Sequence, residues 1–165
     1  SFTPWQEGAA GLAALLAGVH ALRWAGWFRP GVLRHPLLWV LYAGYAWVVA
    51  GFALYAAGAA LGWPLSPALH AFGAGAIGTM TVGMMVRVTL GHTGRDTRRP
   101  PRGLTLLFLG ITLAAALRVG GPLVAPGLYM TAMAAAQGLW IATFTGLLAL
   151  LGPMLVRPRA DGQAG

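Results

Sequence analysis

The chain has no cysteine, no lysine and only three acidic residues, Glu7, Asp96 and Asp161, among its 165 residues. Without cysteine it forms no disulfide, Fe–S cluster, thiolate metal site or covalent c-type haem link, so other side chains must hold any metal or haem. Charged residues make up 8% of the chain, whereas soluble domains carry about a quarter. This excludes a soluble domain, a disordered chain and a module that binds nucleic acid.

What the chain has instead is apolar length. Its hydrophobic fraction is 58% and its mean hydropathy is +0.69, and a membrane-spanning helix needs about 20 apolar residues. We predict an all-α polytopic transmembrane bundle over residues 1–156 and a short, disordered cytoplasmic tail over 157–165. Proline and glycine in 62–67 and 120–126 mark turns between helices. The predicted spans cover residues 5–28, 36–61, 67–90, 103–119 and 127–156.

The arginines predict the orientation of these helices. Most of them lie in three segments, 23–34, 95–102 and 157–159, whereas the alternate loops 62–66 and 120–126 carry no charge. A path of five helices places the three arginine-bearing segments on one side of the membrane. The positive-inside rule assigns that side to the cytoplasm, with the N-terminus outside and the C-terminus inside.

A Gly-x-Gly-x-x-Gly sequence occurs at Gly73, Gly75 and Gly78. A dinucleotide-binding fingerprint of this form needs a strand before it and the start of a helix at its end. Here the motif lies inside an apolar helix. We therefore interpret the glycines as small residues that let a neighbouring helix, or a flat cofactor, approach the backbone closely.

Ionisable residues at membrane depth are costly and are therefore candidates for function. A neutral imidazole can ligate haem iron or copper, and a guanidinium can pair with a haem propionate. The alternative is that histidines near helix ends are interfacial and that arginines extend to the headgroups. The predicted cofactor-binding residues are His20, His70, Arg87, His92 and Arg118.

Depth divides these residues into two groups. His70 and His92 are 22 residues apart, about 33 Å along a helix, so one metal does not bind both. On the inner side, His20, Arg87 and His92 converge if helices one and three touch. On the outer side, His70 and Arg118 converge if helices three and four are neighbours.

Other residue types give weaker indications of a functional site. Thioethers can bind Cu(I), although methionines in an apolar bundle more often fill space. The chain has no Ser/His/Asp arrangement and no pair of carboxylates, which argues against hydrolysis and against a carboxylate-driven proton pump. The methionines of the third and fifth helices are Met80, Met84, Met85, Met130 and Met133.

The stretch from His70 to Arg95, HAFGAGAIGTMTVGMMVRVTLGHTGR, resembles the signature of the NnrS family. Similar matches occur at Arg23-Trp-Ala-Gly-Trp, Pro36-Leu-Leu-Trp-Val-Leu and Gly152-Pro-Met-Leu. The resemblance covers nearly all of the chain. Family members are much longer and have more helices, so the chain resembles their C-terminal portion.

The resemblance implies a multi-pass protein of the bacterial inner membrane that acts in the response to nitric oxide and nitrosative stress. Its implied cofactors are haem b and, in addition, copper, and the implied metal ligands are His20, His70 and His92. The implied partners are the lipid bilayer, nitric oxide, and the remaining helices of a longer chain or a second subunit. Many relatives are expected to carry His at Tyr42, and if that His is a ligand, this chain has either lost one metal or uses a phenol instead. Catalysis by a haem oxidoreductase stays open.

Two other functions also remain open. A subunit similar to a b-type cytochrome would only transfer electrons, and it needs two axial histidines per haem from facing helices. A transporter or assembly bundle without haem would instead use the histidines and arginines to line a path.

Overall fold

The computed structural model describes residues 4–162, and five long helices make up most of them. All five are long and apolar enough to cross a membrane, and no strand occurs in this range. The all-α fold with five spans is therefore confirmed. The helices are α1 (Pro4–Trp27), α2 (Pro36–Leu61), α3 (Ser66–His92), α4 (Leu104–Val124) and α5 (Tyr129–Leu155).

The predicted end of the fourth helix is wrong, because α4 continues through Gly120, Gly121 and Pro122. Proline removes one amide donor and usually breaks a helix. Here it lies in the last turn, where only two residues follow, and membrane helices tolerate such positions. The N–H of Ala125 donates to the carbonyl of Gly121 at 3.0 Å and closes the helix.

The predicted disorder of the C-terminal tail is wrong for residues 157–162, and residues 163–165 lie outside the described range. Arg159 Nη1 donates to the carbonyl of His92 at 3.1 Å, and the N–H of Ala160 donates to the carbonyl of Thr93 at 3.0 Å. The last carbonyls of a helix lack partners within the helix, which explains why these donors bind there. Asp161 forms an ion pair with Arg159 at 2.6 Å, and this hydrogen bond raises the pKa of the guanidinium.

Helix α3 is the centre of the bundle and the most buried of the five helices. It packs against α2 on one side and α4 on the other, α5 packs along α4, and α1 packs against α2 alone. The arginine-bearing loops and the tail define what we call the basic end of the bundle. The buried core lies in the half towards that end, and its members are Leu37, Val40, Val82, Val86, Leu90, Leu104, Phe108, Ile111, Leu147 and Leu151.

Glycines on both helices form the contact between α2 and α3. A methyl group added to any of four glycines would lie only 2.5–2.8 Å from a side-chain atom of the other helix, closer than real carbon atoms approach. Each glycine thus receives a large side chain from the opposite helix, which is how helices pack closely where lipid removes the hydrophobic driving force. The pairs are Met80 on Gly44, Phe72 on Gly51, Trp47 on Gly75 and Val40 on Gly83.

The segment Ala71–Gly78 in α3 is wound as a π-helix and contains all three glycines of the Gly-x-Gly-x-x-Gly motif. No strand precedes it, so the structure supports the packing interpretation of the motif. Gly75 faces Trp47 of α2, and Gly78 faces Trp140 of α5. Gly73 differs, because a methyl group there would have no atom of another residue within 4 Å. Within this wider π-helical segment the three glycines therefore face different surroundings: Gly75 faces α2, Gly78 faces α5 and Gly73 faces open space.

Replacement of Gly75 by alanine should lower stability by about 1–3 kcal/mol, because the added methyl group overlaps the Trp47 ring. Gly73→Ala is the matched control in the same segment. It should leave stability unchanged or slightly raised, since its methyl group enters open space. Thermal unfolding in one detergent measures both, and equal melting temperatures for the two variants would contradict the packing proposed at Gly75.

Candidate functional site

Helices α3, α4 and α5 enclose a cavity of about 330 Å³ in the half of the bundle away from the basic end. Its volume is at the lower end of the range of about 300–1,000 Å³ that is typical of small-molecule sites. Small residues leave this space, whereas larger side chains fill the core at the other end. The cavity is lined by His70, Gly73, Ala74, Ala114, Arg118, Ala136, Gln137 and Trp140.

Three helices each bring polar atoms to this cavity. His70 comes from the first turns of α3, immediately before the π-helical segment. Arg118 comes from α4, and Gln137 and Trp140 come from α5. The predicted convergence of His70 and Arg118 is met, because α3 and α4 are neighbours and the two residues line one cavity.

Arg118 has no anionic partner in the part of the chain that is described. The ion pair found there joins Arg159 to Asp161, and the hydrogen bonds found there involve neither Arg118 nor the His70 ring. The remaining acids are also distant, since Glu7 belongs to α1 and Asp96 to the basic end. A guanidinium on a spanning helix, partly buried and without a carboxylate, favours an anion as its partner.

His20 lies between α1 and α2 and already has a partner. Its Nδ1 atom is 2.6 Å from the Tyr45 hydroxyl, and its ring stacks on Phe52 at 5.4 Å. This contact leaves Nε2 as the ring atom available to a metal, an arrangement common among metal-bound histidines. Tyr42 makes a different contact, as its ring stacks on that of Trp24 at 4.8 Å.

The predicted convergence of His20, Arg87 and His92 does not occur, because α1 and α3 make no contact in the described part of the chain. His92 is exposed at the end of α3, and its carbonyl accepts the hydrogen bond from Arg159. Arg87 lines a second cavity together with His35 and Arg98. His20, Arg87 and His92 therefore occupy three separate places.

The sequence did not indicate Gln137 or Trp140. Gln137 is an amide well inside a predicted span, so considering amides together with ionisable residues would have found it. Trp140 gave no signal, because a tryptophan in an apolar helix usually packs in the core. Tyr45 did have a signal: it shares a helix face with Tyr42, three residues before it, and a buried phenol there needs a hydrogen-bond partner.

The described residues contain no group of three or more His, Cys, Asp or Glu side chains that could hold a metal ion. Among the described residues that line its cavity, His70 is the one side chain of this kind, so a metal there would have a single such ligand from them.

Five helices long and apolar enough to span a bilayer define a multi-pass helical membrane protein. The family model described as "NnrS protein" matches residues 1–159, so the chain belongs to the NnrS family. Neither the curated proteins nor the solved structures gave a match. Membership of this family suggests a membrane protein of the nitric oxide response.

If Arg118 is unpaired in the ligand-free protein, Arg118→Met should stabilise that protein by about 1 kcal/mol, because the substitution removes an unpaired charge from the spanning region. Arg34→Met removes an exposed arginine at the basic end and should change stability little. Thermal unfolding of ligand-free protein compares the two variants. A melting temperature lowered by Arg118→Met would mean that the guanidinium has a stabilising partner in the empty protein.

Proposed function

We propose that this chain is a haem-binding protein of the bacterial inner membrane that binds nitric oxide, with His70 as the iron ligand. One observation carries the proposal: an imidazole and a guanidinium, both without partners in the described residues, line one otherwise mostly apolar cavity. Haem requires a ligand for its iron and benefits from a cation for a propionate.

The cavity fits this group in three further respects. Ala74, Ala114 and Ala136 are small, and no side chain fills the space at Gly73, so a flat group can approach the helices. Gln137 is exposed and Trp140 is partly buried, so the cavity opens at the bundle surface and can admit a group larger than its own volume. No second histidine lines it.

A single histidine favours nitric oxide binding over pure electron transfer. Bound here, haem would supply an iron with one coordination position free for a diatomic gas. His70 would hold the iron, Arg118 would neutralise a propionate, and the alanines would keep water away. A b-type cytochrome would need a second axial histidine from outside the described residues.

The proposed orientation follows from the arginines. With the basic end in the cytoplasm, the His70 cavity lies near the outer face of the inner membrane. Helix α1 packs against α2 alone. Its remaining surface is therefore where lipid, further helices of a longer chain or a second subunit would pack.

Copper is the second proposed cofactor, and it needs its own donors. With no group of three His, Cys, Asp or Glu among the described residues, at most two such side chains would bind it. Thioethers or groups from outside the described range would complete the site. Met80 and Met84 line an apolar cavity with Tyr45, whose hydroxyl contacts His20, and these two thioethers are the additional donors that we propose.

His70→Ala should weaken haem binding by more than about tenfold, since losing even an outer partner of a metal ligand costs at least that much. His35→Ala is the control, because His35 is exposed in the basic loop and is remote from the cavity. The Soret absorbance per protein, after purification with excess haem, measures the effect. His20→Ala and His92→Ala complete the series. If His70→Ala keeps its full haem content and one of these two variants loses haem, the iron ligand is that other histidine.

Nitric oxide should shift the Soret band of the reduced protein, because a single protein ligand leaves one iron position open. Arg118→Met should keep this shift but lower haem affinity, as it removes the propionate's cation. A six-coordinate spectrum that nitric oxide does not change would support the electron-transfer alternative. If protein purified with excess haem shows no Soret band, the transporter or assembly alternative is supported.

A further inference from the structure

A second cavity, of about 320 Å³, lies at the basic end between the start of α2 and the last turns of α3. Its polar part consists of His35, Arg87, Thr97 and Arg98, and apolar side chains that include Pro36 and Leu38 form the rest. It is separate from the His70 cavity, with which it shares no lining residue.

Neither guanidinium at this cavity forms an ion pair with a carboxylate within residues 4–162. The nearest acid in sequence, Asp96, uses Oδ1 to accept the backbone N–H of Arg98 at 2.8 Å. Asp161, the acid of the tail, pairs with Arg159. Arg87 and Arg98 come from different segments, a spanning helix and a loop, so their meeting at one cavity is a property of the fold. An anion with several acceptor oxygens fits two such donors.

The depth of the site indicates where this anion comes from. Arg87 lies five residues before the end of α3, about 7–8 Å along the helix, which is the depth of the membrane interface. The apolar lining continues to Leu38, which is 42% exposed and available to acyl chains. A ligand with an anionic head and an apolar tail matches both parts of the lining.

We propose that this cavity binds the phosphodiester headgroup of an anionic phospholipid from the leaflet at the basic end. Arg87 and Arg98 hold the phosphate oxygens, and Thr97 and His35 supply further hydrogen bonds. Basic pockets beside spanning helices are suited to such headgroups, and each arginine contributes roughly fivefold in binding. The proposal does not depend on haem or nitric oxide.

The test compares phosphatidylglycerol with phosphatidylcholine, each added to delipidated protein in a neutral detergent. Bound lipid is measured by native mass spectrometry. The wild type should retain phosphatidylglycerol in preference to phosphatidylcholine.

Arg87→Gln with Arg98→Gln should weaken phosphatidylglycerol binding by about 25-fold. The matched control is Arg34→Gln with Arg102→Gln, which removes two exposed arginines from the same end but none from the cavity. The control should change binding less than about threefold.

Equal losses in the two double variants would overturn the proposal, because they would show only a general attraction to the basic end. Unchanged binding in the cavity variant would overturn it as well. Competition by inorganic phosphate at the concentration at which short-chain phosphatidylglycerol competes would identify a free-phosphate site instead of a lipid site. If the double variant does not fold, Arg98→Gln alone carries the test, since Arg98 is an exposed loop residue, and it should lose about fivefold.

Discussion

The structure depends on the glycine-lined contact between α2 and α3. Inside a bilayer, apolar side chains gain little by leaving lipid for protein, so helices associate through close packing. Here each helix offers glycines to the large side chains of the other, and Met80, Phe72, Trp47 and Val40 fill the places that a methyl group would occupy. This contact makes α3 the centre on which α2 and α4 assemble. The neighbouring pair α4 and α5 uses the same device, with Leu107 on Gly146 and Thr143 on Gly110.

The π-helical segment relates this packing to the candidate site. Had Ala71–Gly78 only served packing, all of its glycines would face other helices. Gly75 and Gly78 do so, but Gly73 faces the cavity beside His70. Local π-winding is frequent at functional sites, because it redirects side chains within a helix. The same eight residues thus hold the bundle together and leave one side of α3 open.

The sequence predicted the fold well because membrane insertion imposes simple rules on length and charge. Scarce charge and five long apolar runs sufficed for the helix count, and the second span, 36–61, has the bounds of α2. Pairing of helices was harder, since depth alone does not say which helices touch. His70 and Arg118 met as depth suggested, whereas His20 did not join Arg87 because α1 contacts α2 alone. The failures at Pro122 and in the tail have different causes. Pro122 lies in the last turn of α4, where membrane helices tolerate proline. The tail is ordered because Arg159 and Ala160 donate to the carbonyls of His92 and Thr93 at the end of α3.

The distribution of polar groups along α3 also bears on the alternative of a transporter. The His70 cavity and the second cavity, which Arg87 lines, lie towards opposite ends of this helix. A path for an ion would have to join them. Between them the described residues form an apolar core, in which Val82, Val86 and Phe108 are 0% exposed. Within the described residues, the buried polar side chains away from the helix ends are Thr79 and Thr143, and two hydroxyls do not make a path. A continuous route for water or ions needs polar groups along its whole length, because unpaired polar atoms at this depth are costly. The bundle is therefore better suited to two independent binding sites, each served from its own end, than to passage between them.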